Sequence, residues 1–222
     1  MRAIELGAGM VELDCQLTRD GAVAVIHDET LDRTTNGRGP VRSKSLSEIK
    51  SLDAGSWFSP EFAGEEVLTL EETIEILRGR AALNLEMKGD DEPGRLELQC
   101  FGIVSSYRFL EQTVFSSFSA RRIRTLRDLS SEARVGVLMD AAASWADAFS
   151  RARELSAEAV HPERSLVDDR AVSEAHRRGL EVRVWPVNRL DDMGALIAAG
   201  VDGIFTDYPE RLLRLRDRPD VP

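Results

Sequence analysis

Residues 83–88 read Leu83-Asn84-Leu85-Glu86-Met87-Lys88, and residues 11–14 read Val11-Glu12-Leu13-Asp14. Both runs alternate apolar with charged or polar residues, the period of a β-strand. On such a strand Glu86 and Lys88 share one face while Leu85 and Met87 share the other. Glu12 and Asp14 likewise oppose Val11 and Leu13. If the sheet closes into a barrel, the carboxylate face is the interior. The runs are read as ending where strands hand over to loops, which is where parallel α/β folds place their sites.

Outward from these runs, short β-type stretches alternate with amphipathic helical ones, the pattern of βα units building a parallel sheet. Strands are expected at 10–14, 83–87, 113–117, 134–139, 159–161, 181–187 and 203–205. Residues 23–27, after the Asp20-Gly21 turn, are expected to pair locally as a hairpin. Helical faces are read from Leu96, Cys100 and Ile103, from Trp145, Phe149 and Ala152, and from Met193, Leu196 and Ile197. Thr69 and Glu72 are spaced as a capping box, and Gly179 and Gly200 stand where helices should stop. Residues 28–68 break this rhythm with many Thr, Ser, Gly and Asp and a short helix expected at 46–52. They read as a lobe inserted into one domain spanning 1–222. Seven parallel strands fit either an open sheet or a barrel short of one strand, and periodicity alone does not choose.

Composition narrows the partners. With 222 residues, 42% hydrophobic and 31% charged, the chain can bury a sizeable core. Its net charge of −10 argues against nucleic acid and anionic membranes, since no basic stripe is present. A phosphate-binding site would therefore need its own local cations. Two cysteines without metal-ligand spacing, no apolar run long enough to span a membrane and no secretory leader point to a reducing, cytoplasmic setting without membrane insertion.

Glu12, Asp14 and Glu86 bring three carboxylates from two strands with no histidine pair or cysteines nearby. That set suits a hard cation, Mg²⁺ or Ca²⁺; the alternative is that the carboxylates are solvated or paired with basic side chains. His27 ends an apolar run and is placed as a general acid or base would be. Its local pattern taken alone favours a structural role, as do those of His161 and His176. Trp185 reads as core or as a flat wall for a ligand's carbon skeleton. Ser116 and Ser117 lack a nucleophile elbow.

Taken together, the strings at 11–14, 16–21, 26–37, 84–88, 185–188 and 203–209 resemble the glycerophosphodiester phosphodiesterase family. The resemblance covers essentially the whole chain, and the block at 11–37 is its most specific part. It implies a (β/α)₈ barrel of the TIM type that hydrolyses glycerophosphodiesters to glycerol 3-phosphate and an alcohol, with a divalent cation, Mg²⁺ or Ca²⁺. By this resemblance Glu12, Asp14 and Glu86 are the metal ligands, His27 is a catalytic acid or base, Lys88 contacts the phosphate and Trp185 walls the glycerol pocket. The lobe at 28–68 matches the family's insertion after the second barrel strand.

One departure stands out. The family opens with a strand bearing a His-Arg-Gly motif, then a Pro-Glu-Asn-Thr motif leading into the first helix, and neither occurs in these 222 residues. The sequence is expected to begin inside that helix, leaving a barrel with a gap. The strands flanking the gap should carry unpaired edges through which copies could associate. Either the natural product is longer and active, the reading preferred here, or the barrel is catalytically impaired and binds a phosphorylated polyol or metal. An open-sheet phosphate-binding protein is a weaker reading, because no glycine-rich βα loop is present.

Overall fold

The computed structural model of the chain describes residues 2–89 and 92–216. Its strands are β1 (Met10–Leu17), β2 (Val23–Val25), β3 (Ala82–Met87), β4 (Thr113–Ser117), β5 (Arg134–Met139), β6 (Ala159–Pro162), β7 (Glu181–Val184) and β8 (Gly203–Ile204). They form one curled sheet in the order β2-β1-β3-β4-β5-β6-β7-β8, in which β2 is antiparallel to β1 and every other pairing is parallel. The helices are α1 (Arg2–Glu5), α2 (Leu46–Lys50), α3 (Leu70–Leu77), α4 (Arg95–Ser106), α5 (Ala120–Leu129), α6 (Trp145–Glu154), α7 (Asp169–Arg177), α8 (Leu190–Ala198) and α9 (Pro209–Arg216). From β3 onward each strand is followed by a helix. This is the course of a TIM-type barrel wall, with the lobe inserted before its second helix, α3.

Local chemistry explains the boundaries. The Thr69 hydroxyl accepts from the Glu72 N–H while the Glu72 carboxylate accepts from the Thr69 N–H, so two orphan donors at the start of α3 are satisfied reciprocally. Ser45 and Glu48 do the same for α2. Gly179 and Gly200 end α7 and α8 at φ of 73° and 81°, a conformation that side chains with a Cβ avoid. The outward faces of the strands, among them Leu83, Leu85, Met87, Val135, Val137, Val182 and Val184, interleave with Leu96, Cys100, Ile123, Leu126, Val172, Ala175, Met193 and Leu196 from the helices. Each fully buried Leu or Val there stabilises the fold by about 1.5 to 3 kcal/mol. Ala24 and Ile26, in and just after β2, join Leu31, Val41, Ile49 and Val67 of the lobe in a second small core.

Several boundaries differ from expectation, and three of them bear on the site. β1 runs on past residue 14 because Cys15, Gln16 and Leu17 pair with Val25, Ala24 and Val23 across the Asp20-Gly21 turn. The carboxylates thus sit within the strand. β2 stops at Val25, so His27 lies in the loop beyond it. β7 stops at Val184, and Trp185 makes a single bridge to Glu163.

The expected open edge is partly closed. The hairpin covers the outer side of β1 from residue 15 onward, and the Ile26 N–H donates to the Asp14 carbonyl at 3.0 Å. Among the described residues no strand pairs with residues 10–13 on that side, nor with the outer side of β8.

Candidate active site

The parallel pairing of β1 with β3 places Asp14 opposite Glu86 and Glu12 opposite Asn84. One carboxylate oxygen from each of Glu12, Asp14 and Glu86 lies within 4.8 Å of the others. Lys88, one residue past β3, donates its N–H to the Cys15 carbonyl at 3.0 Å and brings Nζ to 3.3 Å from Asp14 Oδ1. Three carboxylates thus face one ammonium.

That imbalance shows in protonation. Glu86 is only 9% exposed, and its pKa is pushed up to about 7, first by lost hydration and then by Asp14. Glu12 is pushed up to about 8 by lost hydration, then by Asp14 and Glu86. Yet Glu12 keeps solvent contact from the cleft, so water weakens the hydration cause there and the crowding of like charge is the firmer one. A divalent cation held there would relieve both. Oxygens on opposite sides of Ca²⁺ stand about 4.6 to 5.2 Å apart, so three carboxylate oxygens within 4.8 Å of one another fit a hard cation of that size, whereas Mg²⁺, at about 4 Å, would need them drawn no farther apart than that.

His27 reaches the same cleft from the loop after β2. Gln16 fixes that loop, its Nε2 donating to the carbonyls of Ile26, His27 and Asp28 at 3.1, 3.1 and 2.7 Å. His27 Nδ1 lies 2.8 Å from Asp28 Oδ1. Asp28 also accepts from Arg33 Nε and Nη2, each at 2.7 Å. The Arg33 guanidinium, and after it His27, hold the Asp28 carboxyl well below the usual carboxylate range. The residue beside His27 is therefore a fixed anion that orients the ring and leaves Nε2 free of that bond. Gln16 and Arg33 were not singled out from sequence; the contacts of the Gln16 amide with three carbonyls, two N–H groups shared among them, depend on a hairpin whose geometry no local pattern encodes.

Trp185 donates from Nε1 to the His161 carbonyl at 2.7 Å and meets Phe118 edge-on with ring centroids 5.7 Å apart. Phe118, just past β4, was also missed, since an aromatic after a strand carries no signal of its own. The loops after β7 and β8 are tied together: Asn188 Oδ1 accepts from Thr206 Oγ1 at 3.1 Å and from the Asp207 N–H at 3.0 Å. His161 is fully buried with its pKa driven down to about 3, by lost hydration and then Arg183, and His176 pairs with Asp202 at 2.9 Å. Ser116 Oγ accepts from Asn84 Nδ2.

A cleft of about 920 Å³ takes in Glu12, Asp14, Glu86, Lys88, His27, Phe118 and Trp185 and extends along the open side between β1 and β8. All six side chains singled out from sequence line it. A depression of about 710 Å³ near Arg78 and Tyr107 lies at the opposite ends of the strands, with no carboxylate or histidine in its lining.

A model of the glycerophosphoryl diester phosphodiesterase family matches residues 1–211. The chain belongs to that family. It is 39% identical over 217 residues to a glycerophosphodiester phosphodiesterase of Caldanaerobacter subterraneus subsp. tengcongensis, covering 96% of this chain and 88% of that one. It also superposes with a TM-score of 0.91 and 29% identity on a phosphodiesterase of Oleispira antarctica in complex with its product sn-glycerol 3-phosphate, covering 98% of this chain and 88% of the other. A glycerophosphodiester phosphodiesterase of Agrobacterium tumefaciens gives a TM-score of 0.83 at 32% identity over 98% of this chain and 90% of its own. Membership makes the chain an enzyme of the phosphodiesterase class with the barrel fold of these relatives. Among the described residues no helix is long and apolar enough to cross a membrane.

Proposed function

We propose that the chain hydrolyses glycerophosphodiesters to glycerol 3-phosphate and an alcohol, with Glu12, Asp14 and Glu86 holding a divalent cation. The observation that carries this reading is the convergence of those carboxylates with Lys88 and His27 in one cleft. The cation supplies Lewis acidity and neutralises phosphate charge when bound. Lys88 holds a phosphate oxygen, and the edge-to-face pair of Trp185 and Phe118 walls the glycerol carbons. Water adds to phosphorus as the bond to the alcohol oxygen breaks; His27, oriented by Asp28, gives its Nε2 proton to the departing alcohol oxygen, and the proton lost by the attacking water passes to solvent and restores the ring. We take residues 1–222 as one barrel unit with the lobe at 28–68 inserted in it, and place it in the cytoplasm, in keeping with two buried free thiols.

His27→Ala should lower turnover by about a hundredfold or more while changing substrate affinity little. Asp28→Asn should give a smaller loss in the same direction. Steady-state kinetics check both, and unchanged turnover in His27→Ala makes that residue structural.

A second reading, a barrel that binds a phosphorylated polyol or metal without turnover, is favoured by one feature: His27 is the sole histidine lining the cleft among the described residues. The two readings separate on product analysis. Glycerophosphocholine and glycerophosphoethanolamine are incubated with this chain and with one extended by a His-Arg-Gly strand, each with and without chelator. Cation-dependent release of glycerol 3-phosphate supports hydrolysis, and release of phosphocholine or of nothing by the extended chain contradicts it. Sedimentation of the two chains tests self-association through the open edges of β1 and β8, which should weaken in the extended chain.

A further inference from the structure

Arg122 and Glu97 form an ion pair inside the protein. Arg122 Nη1 lies 3.1 Å from Glu97 Oε1, and the two side chains are 3% and 0% exposed. They stand on α5 and α4, whose other buried residues, Leu96, Cys100, Val104, Ile123 and Leu126, are all apolar. Taking two charges out of water often costs more than their mutual attraction returns, and apolar residues of similar volume commonly serve stability as well or better. The pair therefore calls for a role beyond joining two helices.

That role shows on the other arm of the guanidinium. Arg122 Nη2 donates to the Gly89 carbonyl at 2.5 Å, and Gly89 is the residue after Lys88. Three successive residues at the exit of β3 are thus held from outside the strand. The Met87 carbonyl accepts from Ser117 Oγ at 2.9 Å, the Lys88 N–H donates to the Cys15 carbonyl at 3.0 Å, and the Gly89 carbonyl accepts from Arg122. Gly89 turns the chain at a φ of 86°, and a Cβ there would stand 3.3 Å from Gln16 Oε1. Gln16 is the side chain that fixes the His27 loop. The Lys88 turn and the His27 loop therefore meet at Gly89, and Arg122 ties that meeting point to α5 and, through Glu97, to α4.

We propose that Arg122, held by Glu97, is a positioning residue: by fixing the Gly89 carbonyl it keeps Lys88 Nζ beside the carboxylate cluster, 3.3 Å from Asp14 Oδ1, where it meets a phosphate oxygen. Neither Arg122 nor Glu97 lines the cleft, so both act through the backbone of the Lys88 turn. The proposal rests on the phosphodiesterase reading, which gives Lys88 that phosphate.

Glu97→Leu combined with Arg122→Met removes both charges and strands neither, so the variant should melt at or above the temperature of the unsubstituted chain. In its crystals the distance from Lys88 Nζ to Asp14 Oδ1 should lengthen by about 1 Å or more, and calorimetry with calcium present should show affinity for sn-glycerol 3-phosphate falling about tenfold. The same two substitutions added to Lys88→Met should change that affinity no further, because residues acting through one contact do not add. A Lys88 left in place, an unchanged affinity, or a loss as large in the Lys88→Met background overturns the proposal. If the double variant does not fold, Arg122→Lys replaces the two-armed fork with a single ammonium that keeps Glu97 and gives up Gly89. The same displacement and loss are expected there, and their absence overturns the proposal equally. If Lys88→Met leaves the affinity unchanged, or the unsubstituted chain shows no binding, the phosphate contact of Lys88 falls and the crystal distance alone decides the positioning.

Discussion

Replacing Asp14 with alanine is expected to lower divalent-dependent turnover by about a hundred- to a thousandfold, measured in the chain extended by the first strand. Asp14 occupies the centre of the charge arrangement: it faces Glu86 across the β1–β3 pairing and sits 3.3 Å from Lys88 Nζ. Its removal takes away one proposed cation ligand and the partner of the Lys88 ammonium together. The fold should tolerate the change, because Asp14 faces the cleft while neighbouring Cys15 fills the core. Turnover and thermal melting are measured side by side. Loss of turnover with an unchanged melt is the expected pair, and full turnover in Asp14→Ala would remove the carboxylates from the mechanism.

The second large effect concerns stability without a cation. Glu12 and Glu86 have folded pKa values near 8 and 7, above the ordinary 4.5. Between those limits the folded chain binds more protons than the unfolded one, so stability falls as pH rises. His161 works oppositely: its pKa is depressed to about 3 in the fold, so its contribution is present above about 6.5 and is lost as pH falls. The two trends oppose each other below pH 6.5 and leave the carboxylates alone above it. Discounting Glu12 for its contact with water, the chelated chain should lose on the order of 1 to 2 kcal/mol between pH 6.5 and 8, or about 3 to 6 °C in Tm. Calcium or magnesium should restore it, with an increment that grows with pH because the ion competes with protons. Glu86→Gln should remove both the decline due to Glu86 and most of the response to the ion. A chelated chain whose Tm is level or rising from pH 6.5 to 8, and indifferent to either ion, would refute this electrostatic account.

Much of this architecture is written locally. Strands β4 and β5 begin and end at the residues their patterns indicate, and Ser45 with Glu48 and Thr69 with Glu72 mark helix starts through bonds that close within four residues. The carboxylates are legible for the same reason, since alternation fixes which face each occupies. What sequence leaves hidden depends on contacts between distant segments. β1 extends beyond Asp14 only because β2 folds back on it, and His27 is aimed by Gln16 and Asp28 only once that hairpin exists. Phe118 meets Trp185 across the barrel mouth, 67 positions along the chain, where no periodicity reaches.

The most direct test of the cation centre is a crystal of the chain soaked in manganese, with the ion located by its anomalous scattering. A single site is expected between Glu12, Asp14 and Glu86, lost in crystals of Asp14→Ala. Manganese bound elsewhere in the cleft, or no ordered ion beside these carboxylates at saturating concentration, would contradict the account.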